Sequence, residues 1–470
     1  MQQTRTKIIC TIGPATKNLS TLRSLYNNGM NVVRINMSHA DHKSASSVIK
    51  NINKINQDPK SKYGPIGILL DTQGPEIRTG DTEHTLDLKE GDEVTLTVRD
   101  QIDVETSSIK INYKDLIKSV SPGSRITVDN GLINFKVLSK QEETLLCRVL
   151  DGGKLGSKRH VNLPGVRVNM PSITSKDLKD IAFGIKNKVD FIALSFVRDA
   201  DDLDKLQVIL DKSKSAAKII AKIENQEGLD NIDTICKSSW GVMVARGDLG
   251  IETSLTDLPN IQRRIMHACG KWGKRSIVAT HLLESMINNP TPTRAEASDV
   301  ANAIYEGADA VMLSGETSVG KYPVDCVKFL KSISYKTEKF TTLGYEKNLV
   351  PTSDWQHIGI TAKHLAESTN ADGIIAITRT GETANLVSNA KPNGIPIYTF
   401  TNNKSTYSKL SLVGSSHAFL IGSIRDHDKA LSKVISILKK ELSLSSGSKF
   451  ILVSGIFSEN HSEAIQIIKI

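Results

Sequence analysis

The chain has 470 residues, of which 39% are hydrophobic and 24% charged, and its formal net charge is +9. This length predicts about three domains, and the sequence has no run of about 20 apolar residues that could span a membrane. The basic residues are spread along the chain and aromatic residues make up only 5%, which argues against a nucleic-acid-binding surface. The N-terminus lacks a secretory apolar segment and the five cysteines show no CxxC spacing. We therefore expect a cytoplasmic protein without a disulfide framework or a zinc site.

The N-terminal part of the chain alternates between apolar strands and amphipathic helices. Strands are predicted at Lys7 to Ile12, Asn31 to Ile35 and Ile66 to Leu70, and helices at Leu19 to Asn28 and Val48 to Ile55. Gly29 follows the first helix and is suited to cap it. This order of strands and helices predicts a parallel sheet.

A segment from Gly74 to Pro171 interrupts this order. Its short alternating runs, with turns such as DNG, predict a small all-β domain inserted after the third strand. The earlier order then resumes with a helix in SKDLKDIAFGIKNK and strands in DFIALSF, KIIAKIE, GVMVAR, SIVAT and DAVMLSG. Eight parallel strands are the number that closes a (β/α)8 TIM barrel. The predicted fold class is therefore α/β, with residues 1–73 and 172–343 in the barrel and residues 74–171 in a β-barrel lid.

The remaining residues, 344–470, are predicted to form a separate α/β domain after an extended stretch near Tyr345 to Pro351. Its helices are predicted at Ile358 to Ser368 and Glu382 to Asn389, and its strands in GIIAITR, IPIYTF, KFILVSGI and AIQIIKI. The sequence contains neither a P-loop nor a Rossmann glycine pattern, so it offers neither of those nucleotide-binding loops.

Two strands in the middle of the chain run into charged residues. Lys222 and Glu224 leave the strand of KIIAKIE on the same side, because strand side chains alternate. The strand of GVMVAR is followed by Gly247 and Asp248, and a helix starting near Leu249 is expected to direct its amides at an anion. In a TIM barrel the carboxyl ends of the strands meet at one rim, so the lysine and the two carboxylates are expected to converge. They suit a Mg²⁺ ion and a phosphoryl transfer, and a structural ion-pair network is the alternative.

The motifs KIENQEG, VMVARGDLGIE, HLLESMINNPTPTRAEASDVANA and DAVMLSGET resemble those of the pyruvate kinase family. With KIICTIGPAT at the start, the resemblance covers nearly the whole chain. It implies transfer of the phosphoryl group of phosphoenolpyruvate to ADP, which gives ATP and pyruvate through a metal-stabilised enolate in the last step of glycolysis. It also implies Mg²⁺ or Mn²⁺ and K⁺ as cofactors, and a homotetramer.

The resemblance assigns roles to residues at the predicted strand ends. The implied catalytic residues are Lys222, Arg34 and Thr280, and the implied substrate-binding residues are Arg34, Lys222, Gly247, Asp248 and Thr280. The implied metal ligands are Glu224 and Asp248 for Mg²⁺, and Asn36, Ser38, Asp71 and Thr72 for K⁺. The implied nucleotide-binding residues are Asn36, His39, Arg78 and Arg159. The chain departs from the family at Arg159 and His160, where lysine and glycine are typical, which changes the geometry of the lid's phosphate contact.

In this family the C-terminal domain often binds a sugar phosphate. The residues that match its phosphate loop are Thr378, Arg379, Thr380, Gly381 and Thr383. Glu382 adds a negative charge in the first helical turn, and a second loop, Gly455 to Ala464, has two glutamates and no arginine or lysine. We therefore expect a monophosphate effector and not fructose 1,6-bisphosphate.

Two other functions stay open at this point. A metal-dependent lyase or aldolase of the phosphoenolpyruvate and pyruvate barrel group would use the same carboxylates without a nucleotide. A non-catalytic binding protein would be expected to have lost Lys222 or a metal carboxylate, and this chain has kept them.

Overall fold

The computed structural model describes residues 4–58, 64–82, 84–99, 108–166, 168–422, 427–442, 444, 447–454 and 464–470. The first elements are β1 (Lys7–Thr11), α1 (Leu19–Asn28), β2 (Val32–Asn36), α2 (His42–Gln57) and β3 (Gly67–Asp71). Helix α1 has its predicted bounds and ends at Gly29, whose φ is 129°. Helix α2 begins earlier than predicted because Asp41 caps it by accepting the Ser44 N–H at 2.7 Å.

The lid follows β3. Its elements are β4 (Ile77–Arg78), β5 (Leu86–Leu88), β6 (Glu93–Thr97), β7 (Ser108–Lys110), α3 (Leu116–Ser119), β8 (Arg125–Val128), β9 (Ile133–Lys140), β10 (Thr144–Asp151), β11 (Gly153–Leu155) and β12 (His160–Asn162). Within the described part of the lid, one sheet has the order β4-β12-β8-β9-β10-β6-β7. A bridge between Thr79 and Ile111 brings its two edges together, so the sheet curls into the predicted small barrel. Phe135 and Leu145 are fully buried inside it.

The chain then returns to the main barrel. Its second half contains α4 (Ser175–Lys186), β13 (Phe191–Leu194), α5 (Ala200–Lys212), β14 (Lys218–Ile223), α6 (Gln226–Asp230), α7 (Ile232–Ser238), β15 (Gly241–Ala245), α8 (Arg246–Glu252), α9 (Leu258–Trp272), β16 (Arg275–Ala279), α10 (Arg294–Tyr305), β17 (Ala310–Leu313), α11 (Gly315–Ser318) and α12 (Pro323–Thr337). Among the described residues, eight parallel strands close in the order β1-β17-β16-β15-β14-β13-β3-β2. The predicted TIM barrel is confirmed, whereas α8 starts at Arg246 and not near Leu249.

The C-terminal domain is also α/β. Its elements are α13 (Asp354–Ser368), β18 (Gly373–Ile377), α14 (Glu382–Asn389), β19 (Ile397–Thr401), α15 (Lys404–Lys409), β20 (Ser416–Leu420), α16 (His427–Leu442), β21 (Lys449–Ser454) and β22 (Ala464–Lys469). The described strands form one sheet in the order β20-β19-β18-β21-β22, with β22 antiparallel. The stretch predicted as extended contains a 3-10 turn over Tyr345–Asn348, and neither β20 nor α16 was predicted.

The C-terminal domain covers the amino end of the barrel. Leu412 is fully buried in the same apolar cluster as Ile9 and Phe191, which lie inside the barrel. The Lys7 ammonium donates to the Ser416 carbonyl at 2.6 Å. The carboxyl end of the barrel is therefore the end that faces the lid. The domain boundaries at 73/74, 171/172 and 343/344 stay predictions.

Within the described ranges, no helix combines the length and the apolar character needed to cross a membrane.

Candidate active site at the carboxyl end of the barrel

Lys222 lies at the centre of a buried polar cluster at the carboxyl rim. Its side chain is 9% exposed, and its ammonium contacts Ser195 Oγ at 2.7 Å, Asp71 Oδ1 at 3.0 Å and Glu224 Oε1 at 3.0 Å. Burial alone would lower the pKa of Lys222, but the two carboxylates outweigh it and raise that pKa. Lys222 is therefore a fixed positive charge at neutral pH.

Asp71 connects this lysine to Arg34. The Arg34 Nε donates to Asp71 Oδ2 at 2.6 Å, and its Nη1 donates to Thr11 Oγ1 at 3.1 Å. Burial acts to raise the pKa of Asp71, yet the positive charges of Lys222 and Arg34 hold it below its ordinary value. Part of the guanidinium stays available for a phosphate group, which arginine grips through paired N–H donors.

Glu224 and Asp248 form the acidic side of the cluster. Glu224 is 1% exposed, and its Oε2 accepts the Phe196 N–H at 2.6 Å. Burial raises the pKa of Glu224 to about 7, with the negative charge of Asp248 acting in the same direction, and burial also raises the pKa of Asp248. The negative charges of these two carboxylates are not balanced by the positive charges around them, so the pair is a suitable donor set for a divalent cation.

The number of carboxylates also bears on which metal fits. The described residues contain no group of three or more His, Cys, Asp and Glu side chains arranged to hold a metal ion. Glu224 and Asp248 as a pair of ligands suit Mg²⁺, which keeps much of its shell for water and substrate oxygens.

Thr280 has a strained backbone next to these carboxylates. Its φ is 68°, in the left-handed region that a β-branched residue rarely adopts. The Gly247 N–H donates to Thr280 Oγ1 at 2.8 Å, and that hydroxyl donates to the Ala279 carbonyl at 2.6 Å. Arg246 also donates to the Thr280 carbonyl and binds both oxygens of Asp299. The resemblance implies that Gly247 binds the substrate. In the structure its N–H is hydrogen-bonded to Thr280.

The residues implied as potassium ligands meet at the ends of β2 and β3. Asn36 pairs with Asp71 in the sheet, and the Asn36 Oδ1 accepts the Ser38 N–H at 3.1 Å. The Thr72 Oγ1 accepts the Ser195 N–H at 3.1 Å, and the Ser195 hydroxyl donates to the Thr72 carbonyl at 2.7 Å. These neutral oxygens with a single carboxylate form a donor set that suits a monovalent cation.

The lid residues implied in nucleotide binding are more scattered. Arg78 donates to Glu76 Oε2 at 2.7 Å, where β4 leaves the rim. Glu76 also acts electrostatically on Asp248, so Arg78 and its partner lie near the metal carboxylates. Arg159 contacts Asp129 at 3.4 Å inside the lid.

His39 is exposed beyond the end of β2. The structure therefore brings Arg34, Lys222 and the carboxylates together, whereas among the described residues no hydrogen bond or ion pair joins His39 or Arg159 to them.

Sequence reasoning missed two residues that hold this site. Phe196 has a φ of 53°, and this conformation directs its N–H at Glu224. Arg246 lies within the motif VMVARGDLGIE, and its place in that motif is the sequence feature from which a role at the site could have been predicted. No local pattern marked Phe196, since apolar residues after a strand are common.

The predicted effector loop lies far along the chain, before α14. Thr378 Oγ1 accepts the Gly381 N–H at 2.9 Å, and Gly381 has a φ of 93°. Arg379 and Thr380 are exposed, and the Arg379 carbonyl accepts from Thr406 Oγ1 at 2.7 Å. The second predicted loop, Gly455 to Ala464, lies outside the described residues except for Ala464.

Comparisons with known proteins agree along the whole chain. The family model "Pyruvate kinase, barrel domain" matches residues 3–327, and "Pyruvate kinase, alpha/beta domain" matches residues 356–470. A pyruvate kinase of Staphylococcus epidermidis is 40% identical over 460 residues, which cover 96% of this chain and 78% of that protein. Plastidial pyruvate kinase 2 of Arabidopsis thaliana is 38% identical over 473 residues, which cover 99% of this chain and 81% of that protein.

A solved structure is similar as well. The crystal structure of a pyruvate kinase from Cryptosporidium parvum superposes with a TM-score of 0.94 at 35% identity, and the match covers 100% of this chain and 96% of that one.

Proposed function

The chain belongs to the pyruvate kinase family, phosphotransferases that move the phosphoryl group of phosphoenolpyruvate to ADP, and we propose that Lys222 and its neighbours at the rim carry out this transfer. The observation that carries the proposal is the buried ammonium of Lys222, which is anchored by Asp71, Glu224 and Ser195. A charge held in this way needs no reorganisation when negative charge spreads over the transferred group. Because the two carboxylates raise its pKa, Lys222 acts as a cation and not as a base.

Arg34 grips the phosphoryl oxygens from the opposite side. Its guanidinium is held by Asp71 and Thr11, and the remaining N–H groups offer a fork to phosphate. Arg78 adds a second guanidinium from the lid. This arrangement is supported by the ion pair between Arg78 and Glu76, which orients the side chain where the lid joins the barrel.

Glu224 and Asp248 would hold Mg²⁺ or Mn²⁺, and Asn36, Ser38, Asp71 and Thr72 would hold K⁺. The divalent ion, when bound, polarises the enolate oxygen and screens the negative charge of the phosphoryl group. Around it, the chain's own residues orient the substrate: Gly247 and Asp248 supply amides toward the carboxylate of phosphoenolpyruvate, and the Gly247 N–H exchanges its hydrogen bond to Thr280 Oγ1 for one to the substrate. Thr280, whose hydroxyl is fixed between Gly247 and Ala279, orders a water through which a proton from solvent reaches the enolate.

The nucleotide lies between the lid and the rim in this proposal. Asn36 and His39 approach it from the barrel, and Arg78 and Arg159 approach it from the lid. To reach the nucleotide, Arg159 gives up its contact with Asp129. This contact is 3.4 Å long and exposed, so its loss costs little free energy.

A coupled assay tests the function directly. The purified chain is incubated with phosphoenolpyruvate, ADP, Mg²⁺ and K⁺, and both pyruvate and ATP are measured. We expect equal amounts of the two products. Pyruvate with inorganic phosphate in place of ATP would indicate a phosphatase, and no turnover at all would support the lyase or the non-catalytic alternative.

We also propose that the loop Thr378, Arg379, Thr380, Gly381 and Thr383 binds one phosphate of a sugar monophosphate. The support is the exposed side chains of Arg379 and Thr380, which lie just before the start of α14. Saturation curves for phosphoenolpyruvate, measured with glucose 6-phosphate, ribose 5-phosphate and fructose 1,6-bisphosphate, test it. Strong activation by the bisphosphate at micromolar concentration would contradict the proposal.

Family membership further supports a homotetramer that works in the cytoplasm. Sedimentation velocity of the purified chain tests the assembly, and a stable monomer would contradict it. Fractionation of the source cells tests the location.

A further inference from the structure

The lid is joined to the barrel by two crossings of the chain, and the carboxylate of Asp177 binds both of them. Asp177 lies in the first turn of α4 and is fully buried. Its Oδ1 accepts the N–H groups of Gln73 and Gly74, each at 3.1 Å, at the entry crossing, where the chain passes into the lid. Its Oδ2 accepts the Thr174 N–H at 2.9 Å and the Thr174 hydroxyl at 2.6 Å, at the return crossing. One carboxylate accepts about four hydrogen bonds, so the two crossings use the whole acceptor capacity of Asp177.

Helix capping accounts for only one half of these hydrogen bonds. Thr174 and Asp177 form a capping box, which stabilises the start of α4. Gln73 and Gly74 lie 104 and 103 residues earlier in the chain, and a helix start does not need them. The carboxylate therefore has a second role, which is to hold the entry crossing against the return crossing.

The entry crossing is held next to the residues that bind Lys222 and Glu224. Gly74 has a φ of 75°, and a Cβ atom on it would lie 2.8 Å from Ser195 Cβ and 2.9 Å from Phe196 Cδ2. Only glycine permits this close approach without strain. Ser195 Oγ accepts from the Lys222 ammonium, and the Phe196 N–H donates to Glu224. The first residue of the lid therefore packs directly on the barrel part of the candidate active site.

Arg78 lies four residues beyond Gly74. Four residues of extended chain span at most about 14 Å, so a movement of the entry crossing displaces Arg78 as well. Gln73 Nε2 donates to Glu76 Oε2 at 2.9 Å, and the same oxygen accepts from Arg78 Nε at 2.7 Å. The entry crossing and the Arg78 guanidinium are thus connected by a hydrogen-bonded chain of side chains as well as by the backbone.

We propose that Asp177 is a positioning residue that fixes the pivot of the lid and thereby places the Arg78 guanidinium for phosphoryl transfer. The inference rests on the proposed function, because it uses the role of Arg78 in that transfer. The four donors that Asp177 binds all belong to the two crossings, so it acts through the lid. Without the carboxylate the crossings move independently, and the lid no longer presents Arg78 in one position.

Asp177→Asn is the test variant. An amide has one acceptor oxygen, and its NH2 group cannot accept from a backbone N–H, so one crossing loses its hydrogen bonds. We expect turnover in the coupled assay to fall at least about tenfold, since a displacement of about 1 Å can cost about 10²-fold. Exchange of the methyl protons of pyruvate should change little, because Glu224 and Asp248 belong to the barrel.

A double-mutant cycle with Arg78→Met shows whether Asp177 acts through Arg78. In the Arg78→Met background, Asp177→Asn should lower turnover by no more than about threefold further, because residues that act as a unit have non-additive effects. A role in stability alone would cost the same factor in both backgrounds.

The capping box of α10 supplies matched controls. Glu296 accepts four hydrogen bonds from Thr293 and Ser285, and both of these residues lie in the barrel. Glu296→Gln and Thr293→Val should therefore retain turnover. Thr174→Val removes one of the four donors to Asp177, so it should lower turnover in the same way as Asp177→Asn but by a smaller factor. It is the second test if Asp177→Asn does not fold, which circular dichroism establishes.

Three results would overturn the inference and leave the proposed function intact. They are natural turnover in the folded Asp177→Asn or Thr174→Val variant, equal losses in the two backgrounds of the cycle, and an equal loss in Glu296→Gln. Loss of proton exchange together with transfer in Asp177→Asn would also contradict it, since the barrel part of the site would then have changed. No turnover by the natural chain would overturn the proposed function and this inference together.

Discussion

The two ends of the barrel use the same strands for opposite purposes. At the carboxyl end, Asp71 and Glu224 share the single ammonium of Lys222. At the amino end, Asp309 is bound by Lys391 at 2.9 Å and by the Ser276 N–H at 2.9 Å, and its charge is balanced within the protein. The carboxyl end has carboxylates in excess of its nearby cations, whereas the amino end pairs its charges across the domain contact. Excess negative charge is found at the end that we propose binds ligands, whereas paired charge is found at the end where the two domains are in contact.

Lys222→Met should have the largest effect, at the carboxyl end. Phosphoryl transfer should fall by several orders of magnitude, since a single preorganised electrostatic group is worth about 10²-fold or more. The divalent site remains, so exchange of the methyl protons of pyruvate with solvent should persist. The two rates are measured by the coupled assay and by proton NMR in deuterated solvent.

Lys212→Met, at an exposed lysine at the end of α5, is the matched control and should retain both activities. Loss of transfer and of proton exchange together in Lys222→Met would contradict the division of roles between the lysine and the carboxylates.

Asp309→Ala, at the amino end of the barrel, should lower the stability of the protein and leave its activity largely unchanged, which is the reverse of the effect expected for Lys222→Met. Asp309 is 2% exposed, and its removal leaves Lys391 and the buried Arg275 without their carboxylate. A broken buried ion pair costs about 3–5 kcal/mol, so the midpoint of urea unfolding should fall markedly. The turnover number per folded molecule should change little. Asp204→Ala, at an exposed aspartate on α5, is the control.

The contact between Asp190 and Ser408 should make stability depend on pH. Asp190 accepts from Ser408 Oγ at 2.5 Å, and burial raises the pKa of Asp190 to about 6. Since the unfolded chain binds this proton only below about pH 4, the contribution of Asp190 to stability falls as pH rises from about 4 to 6, by up to about 3 kcal/mol.

Asp190→Asn removes this titration. The melting temperature of the variant relative to the natural chain should therefore increase between pH 4 and pH 7. A difference between the two melting temperatures that does not vary with pH would show that Asp190 does not titrate in this range.

The smallest predicted effect concerns K⁺ at the carboxyl end. Family members that dispense with the monovalent ion tend to carry lysine where this chain has Glu76, which pairs with Arg78. Turnover with Mg²⁺ and only tetramethylammonium should therefore be at least about tenfold below that with K⁺, and Glu76→Lys should reduce the difference. Full activity without K⁺ would be the contrary result.

The sequence by itself determined most of the helices and strands and the end of the barrel at which the candidate site lies. The apolar runs located the barrel strands to within a few residues, and α1 and α14 have their predicted bounds. The two-residue period of a strand placed Lys222 and Glu224 together, and the structure has them in contact at 3.0 Å. These features are local, so periodicity and capping residues suffice to predict them.

Only the tertiary structure decided which groups from distant parts of the chain meet. The ion pair of Lys222 with Asp71 joins two strands that are not neighbours in the barrel, and its 3.0 Å distance depends on barrel closure. The left-handed backbone of Phe196 and Thr280 is imposed by hydrogen bonds to Glu224 and Arg246, against the preferences of the residues themselves. Such contacts have no local signature, since their free energy comes from packing between segments and not from the sequence around either residue.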